Sequence, residues 1–269
     1  MKASVIMSTY NAEAWLEKVL WGFSAQTIKN FEIIIADDGS GPATKQLLDK
    51  LADQIPMPIV HVWQEDNGFQ KTQILNKAIM ASASDYLIFT DGDCIPRADF
   101  VATHLANRQE GYFLSGGYFK LPMETSKTIT REDIVTQRCF DVAWLKQNGL
   151  GNVKTSKLTA NGFKATLLNF ITPTKASWNG HNASAYKADL VAVNGFNTEM
   201  QYGGEDRELG ERLFNKGLKS KQIRYSAVCI HLDHARGYVS DEVWKKNNDI
   251  RKFTRKNKVI KTLTGIETL

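Results

Sequence analysis

Two aspartates one residue apart, Asp91 and Asp93, close an unbroken apolar run that starts at Tyr86 and passes through Leu87, Ile88 and Phe89. Burying both carboxylates among apolar groups would be costly, so they belong at the carboxyl end of the strand the run implies. There the chain turns, at Gly92 and Pro96. That end is also where open α/β sheets bind ligands. Two close carboxylates repel unless a cation or donors lie between them, and hard oxygen ligands suit Mg²⁺ or Mn²⁺. The chemistry on offer is a divalent ion held beside a phosphate-bearing substrate. A solvated turn rich in Asp and Gly fits the same letters, and D-x-D alone does not decide between them.

Two further groups could do chemistry. In Tyr202-Gly-Gly-Glu-Asp-Arg-Glu-Leu209, Gly203 and Gly204 lead into a helix whose first turn carries Glu205, Asp206 and Glu208. Acids are favoured there by the helix dipole whatever their function. A carboxylate at a helix start beside a glycine turn is also open enough to meet a substrate hydroxyl. Glu208 reads as structural, paired with Arg212 one turn on. His231 and His234, at i and i+3, could share a metal or simply pack.

The elements that position these residues alternate. Strand candidates at Ala3–Ser8, Phe31–Ala36, Ile59–Trp63 and Asp85–Thr90 are separated by helical patterns from Glu13, from Thr44 to Leu51, and from Lys71 to Ala81. That alternation predicts a doubly wound α/β sheet. A polar turn follows each strand: Thr9-Tyr10-Asn11, Asp37-Asp38, Asp66-Asn67 and Asp91-Gly92-Asp93. In such a sheet these turns converge on one edge. Neither G-x-G-x-x-G nor G-x-x-x-x-G-K-[ST] occurs, so no dinucleotide fingerprint or P-loop is expected.

The ordered set Val5-Ile-Met-Ser-Thr-Tyr-Asn11, Ile33-Ile-Ile-Ala-Asp-Asp-Gly-Ser40 and Phe89-Thr-Asp-Gly-Asp93 resembles the donor-binding half of the inverting family 2 glycosyltransferases. The resemblance implies a GT-A fold, a Rossmann-like mixed α/β sheet flanked by helices. It implies a nucleotide-sugar donor, UDP-linked, with Thr9, Tyr10, Asn11 and Asp38 around base and ribose. Asn67, Gly68 and Lys71 would form a nucleotide-facing loop and helix start. Asp93 would ligate the metal, and Asp91, across Gly92, would hold the donor's sugars.

The stretch from Trp178-Asn-Gly-His-Asn to Gly203-Gly-Glu-Asp-Arg-Glu is similar to the carboxy-terminal segment of β1,4-galactosyltransferases and bacterial chondroitin polymerases. That similarity implies Asp206 as catalytic base and Glu205, beside Gly204, as an acceptor-sugar ligand. Trp178 would offer a platform for a sugar face. His234, and less directly His231, would complete the metal site with Asp93. Imidazole among the ligands favours Mn²⁺ over Mg²⁺.

Residues 122–177 show weak periodicity, with a helix suggested from Arg131 to Trp144, and read as an acceptor-side excursion of loops or a linker. The expected division is a donor half at 1–110, an acceptor and catalytic half at 111–240, and a basic tail at 241–269. The tail, with Trp244, Ile250, Phe253 and Ile260 among its lysines and arginines, suits either an anionic membrane surface or a solvated packing helix.

Three scattered cysteines make no disulfide framework or zinc site, and fit a reducing, cytoplasmic setting. The apolar run at the start is short for a signal peptide. A net charge of +5 is mild and does not argue for nucleic acid. The expected function is metal-dependent transfer of a sugar to a hydroxyl of a saccharide or lipid-linked acceptor, in bacterial surface polysaccharide synthesis at the inner face of the membrane. Two rivals stand beside it: a nucleotidyltransferase, which would call for a Gly-rich phosphate loop after the first strand, and a non-catalytic sugar-binding module.

Overall fold

The computed structural model describes residues 1–234 and 240–269. The first ninety residues alternate as expected: β1 (Ser4–Thr9), α1 (Glu13–Ser24), β2 (Glu32–Asp37), α2 (Pro42–Leu51), β3 (Ile59–Trp63), α3 (Lys71–Ala81) and β4 (Tyr86–Asp91). These four strands lie parallel in the order β3-β2-β1-β4. Strands β1, β2 and β4 are apolar without alternation because both faces are covered. Val5, Ile33 and Ile88 face the core under α1 and α2, while Ile6, Ile34 and Leu87 face the core under α3.

After a short β5 (Cys94–Pro96) and α4 (Phe100–Asn107), the strand expected over Tyr112–Leu121 divides at Gly116 into β6 (Tyr112–Ser115) and β7 (Gly117–Lys120), which enter different sheets. A Cβ on Gly116 would overlap the Asn182 amide, so the crossing point has no room for a side chain. Residues 122–177 hold helices where loops or a linker were expected: α5 (Met123–Thr128), α6 (Arg131–Val135), α7 (Val142–Gln147), α8 (Ser156–Thr159) and α9 (Gly162–Ile171). The single helix expected from Arg131 is two. Thr130 and Asp133 form a capping box for α6, Gln137 at φ 62° breaks the run, and Asp141 caps α7.

Then come β8 (Ala183–Tyr186), α10 (Lys187–Ala192), α11 (Glu205–Asn215), β9 (Lys219–Gln222), β10 (Val228–His231) and α12 (Asp241–Lys256). Strand β8 runs antiparallel between β4 and β6, and β9 closes the seven-stranded mixed sheet. The second, three-stranded sheet has the order β5-β10-β7. Its register sets His231 opposite Cys94, and the Leu232 N–H donates to the Asp93 carbonyl at 2.9 Å. This small sheet thus carries the histidines of the chain's last quarter to the end of β4. No described helix is long and apolar enough to cross a membrane.

Candidate active site

The carboxyl ends of β1, β2 and β4 open onto a cleft of about 660 Å³. Thr9, Tyr10, Asn11, Asp38, Gly68, Lys71, Asp91, Gly92, Asp93, His231 and His234 all line it. Asn67 is exposed and outside that lining, while its neighbours Asp66 and Phe69 are in it. The turns are tied to one another. Asn11 accepts from the Gly41 N–H at 2.9 Å, its own N–H donates to Ser40 Oγ at 2.8 Å, and the Tyr10 hydroxyl donates to Asp66 at 2.9 Å. Asp37 turns away from the cleft, accepting from Ser40 N–H and joined to His61 at 2.8 Å. Asp38 accepts from Gln64 at 2.7 Å and from the Gln70 N–H at 2.9 Å; burial nonetheless pushes its carboxyl up to about 6.

The two aspartates of the D-x-D separate in role. Asp91 accepts from Ser8 Oγ and pairs with Lys71 Nζ, both at 2.8 Å. Burial works against both charges, but their mutual attraction wins, holding the Asp91 carboxyl far below and the Lys71 ammonium far above their usual ranges. Asp93 instead faces the histidines. Its Oδ2 lies 3.0 Å from His234 Nε2 and 3.5 Å from His231 Nε2, and the two rings stack with centroids 5.6 Å apart. Cys94 Sγ is 3.2 Å from Asp93 Oδ1. Burial first, then the neighbouring Cys229 and carboxylates, keep this group a neutral thiol that donates its proton. The donor set of one carboxylate and two imidazoles suits a divalent metal ion. His231 Nδ1, on the far side of the ring from Asp93, is buried without a hydrogen-bond partner.

Asp206 begins α11 beside this cleft but outside its lining. Gly203 (φ 110°) and Gly204 (φ 94°) make the turn, and side chains there would also strike Trp244 and Arg251 of α12. Gly204 is therefore spent on the turn and on seating α12. Glu205 is buried and folds back to accept from the Gly203 N–H at 2.7 Å. Asp206 is part-buried, and its Oδ1 has no hydrogen-bond partner. Burial, then the Glu205 charge, push its carboxyl up to about 7, against the pull of Lys71. A carboxylate at that value can take a proton near neutrality. A Cβ on Gly180 would come within 2.8 Å of Asp206 Oδ2. Gly180→Ala should displace the carboxylate and slow turnover by roughly tenfold to a hundredfold, read as the initial rate of nucleoside diphosphate release.

Trp178 does not offer the sugar platform expected of it. It is 0% exposed, packed between Phe89 and Phe113 in the core on the α3 side of the sheet, and has no free face. Sequence reasoning also passed over His181, three residues on. This imidazole meets Tyr118 edge-on at 4.6 Å and sits in the combined field of Asp91, Asp93, Lys71 and His231, with burial lowering its pKa to about 4. A histidine directly after Gly180, in a stretch already singled out, was the available signal.

Residues 4–158, more than half of the chain, match the model of glycosyl transferase family 2. The chain belongs to that family. Residues 171–235 of this family 2 glycosyltransferase match a second model, described as the N-terminal domain of galactosyltransferase. The validoxylamine A glucosyltransferase of Streptomyces hygroscopicus subsp. jinggangensis is 26% identical over 83% of this chain and 54% of its own length. The chondroitin synthase of Escherichia coli is 27% identical over 85% of this chain and 34% of its own. The chain thus spans about half the length, or less, of these relatives. In fold it is similar to the Pyrobaculum calidifontis mannosyltransferase solved with GDP-Man and Mn²⁺, at TM-score 0.60 and 18% identity over 88% of this chain and 58% of that one. It is likewise similar to S. aureus TarS solved with UDP-GlcNAc, at TM-score 0.62 and 16% identity over 97% and 70%. The GT-A fold and membership of a glycosyltransferase family follow.

Proposed function

We propose that this family 2 enzyme is a metal-dependent, inverting glycosyltransferase that moves a sugar from a UDP-sugar to a hydroxyl of a saccharide acceptor. The observation that carries this reading is the convergence of Asp91, Asp93, Lys71, His231 and His234 on one cleft, with the raised-pKa carboxylate of Asp206 beside it. Residues 1–110 serve the donor and 111–240 the acceptor. Asp38 and the Thr9-Tyr10-Asn11 turn hold the nucleoside, and Asp91, fixed by Lys71 and Ser8, holds the donor's sugars. Asp206 accepts the proton of the acceptor hydroxyl as its oxygen bonds to the anomeric carbon. The bond from that carbon to the diphosphate breaks on the opposite face, which inverts the centre. Lys71 supplies a fixed positive charge to the cleft. Asp93, His234 and His231 would hold Mn²⁺ in preference to Mg²⁺, and a bound divalent ion supplies charge neutralisation to a departing diphosphate.

A chondroitin synthase among the relatives supports a saccharide acceptor and a role in polysaccharide synthesis. A lipid-linked acceptor would place the chain peripherally at the inner face of the membrane, where the basic tail at 241–269 contributes charge. The first test is thermal unfolding with UDP, with and without Mn²⁺. UDP with Mn²⁺ should raise Tm by several degrees, as expected for ligand near 100 times its Kd. Asp93→Ala and His234→Ala should each abolish the Mn²⁺-dependent part. Absence of a shift with every nucleoside diphosphate would refute the reading.

A further inference from the structure

Helix α9 wears its apolar face outward. Phe163, Leu167, Phe170 and Ile171 are 82%, 44%, 87% and 58% exposed. At about 100° per residue, positions i, i+4, i+7 and i+8 form one stripe. The opposite side is the one that packs. Ala165 is buried, and Asn169 donates to Ser226 Oγ at 2.8 Å while accepting from the Tyr225 N–H at 2.9 Å. Those two hydrogen bonds fix the rotation of the helix, so the stripe faces out by construction.

Along this stretch of the chain the charge has one sign. Between Asp141 and Asp189 the chain has no carboxylate side chain, but it has Lys146, Lys154, Lys157, Lys164, Lys175 and Lys187. Lys154, Lys164 and Lys175 are exposed. Lys164 is on α9 itself, at the edge of the stripe next to Ile171, and Lys175 follows the helix end. An outward stripe with two phenylalanines, with exposed Lys164 at its edge and Lys175 after its end, complements a surface that is apolar inside and anionic outside.

The tail is a poorer candidate for insertion. Arg251 and Arg255 are directed to Glu211, Lys252 to Asp249 and Lys246 to the Glu199 carbonyl, and α12 carries its own Asp241, Glu242 and Asp249. We propose that α9 is a membrane-docking helix that inserts Phe163, Leu167, Phe170 and Ile171 among the acyl chains of an anionic phospholipid bilayer, with its flanking lysines on the headgroups. The inference does not depend on the transfer chemistry. Its consequence for function is that the enzyme works at a lipid surface.

The test is co-sedimentation of the full chain with vesicles of phosphatidylcholine alone, and with roughly one third phosphatidylglycerol, at about 0.1 M salt. Binding is expected to the anionic vesicles and to fall at higher salt. Phe163→Ser with Phe170→Ser should weaken it about tenfold or more, while Phe253→Ser in the tail stays within about twofold of the parent. UDP-induced stabilisation of each variant reports separately on the fold and on the donor site, since these phenylalanines are exposed and outside the cleft lining. The proposal is overturned by a parent that binds neither vesicle, by a double variant that binds like the parent, or by loss of binding in Phe253→Ser instead. It is also overturned if the double substitution turns a self-associating chain into a monomer with no lipid dependence, which would assign the stripe to a protein contact.

Discussion

Asp206→Asn lowers sugar transfer by about a hundredfold to ten-thousandfold, while UDP with Mn²⁺ stabilises the variant as it does the parent. The amide keeps the size and place of the carboxylate but cannot take a proton. It lies outside the cleft lining, so the residues that line the cleft keep their places. Measured transfer equal to the parent's would remove Asp206 from the role. The pH dependence follows from its carboxyl, pushed up to about 7. The active form is the ionised one, so the transfer rate rises with pH through about 7 and then levels, and the Asn variant lacks that rise. Stability moves the other way. The folded pKa lies above the unfolded one near 4, so the folded state retains a proton that the unfolded state has lost between those values. The stabilisation is complete below about pH 4 and is lost as pH rises through 7. Without ligands, the Asn variant should therefore have a higher Tm than the parent at pH 8, and the difference should vanish at pH 4.

Arg212→Met is the largest expected loss of stability, about 3–5 kcal/mol, or a fall in Tm on the order of 10 °C. The Arg212 and Glu208 side chains are 0% and 1% exposed, and Arg212 Nε lies 2.9 Å from both carboxylate oxygens. Arg212 also donates to the carbonyls of Val193 and Gly195, and Thr254 donates to Glu208. The Arg212–Glu208 pair thus ties α11 to the turn after α10 and to α12. Removing Arg212 leaves a buried carboxylate and two buried carbonyls without their partner. Adding Glu208→Leu removes the lone charge and should recover part of the loss, but not all, because both carbonyls stay unpaired. Denaturant melts of the single and double variants distinguish these outcomes. A single variant within about 1 kcal/mol of the parent would show that the clamp is not needed.

The first ninety residues were legible because their signals are local. Each strand is an apolar run, each ends in a polar turn, and parallel winding brings the turns to one edge. The Glu208–Arg212 pair was legible for the same reason, being one helical turn apart. Sequence alone could not tell which tryptophan is core. Trp178 sits in a motif-bearing stretch, and only the packing of Phe89 and Phe113 around it shows that it is enclosed. Nor could it find α9, whose stripe has a helical period but stays exposed among the described residues, so the signal for a buried face was absent. The split of the strand at Gly116 depended on Asn182, far along the sequence. The similarity to galactosyltransferases implied that His234, and less directly His231, meets Asp93, but the approach itself rests on strand register.

That register also orders events in time. The β5–β10 pairing joins the end of β4 to a strand near the end of the chain, and His231 reaches Asp93 only once it forms. During synthesis, the stretches that form β1 to β4 and the turns after them leave the ribosome before β10 does. A chain cut before β10 would keep those turns and lack both histidines.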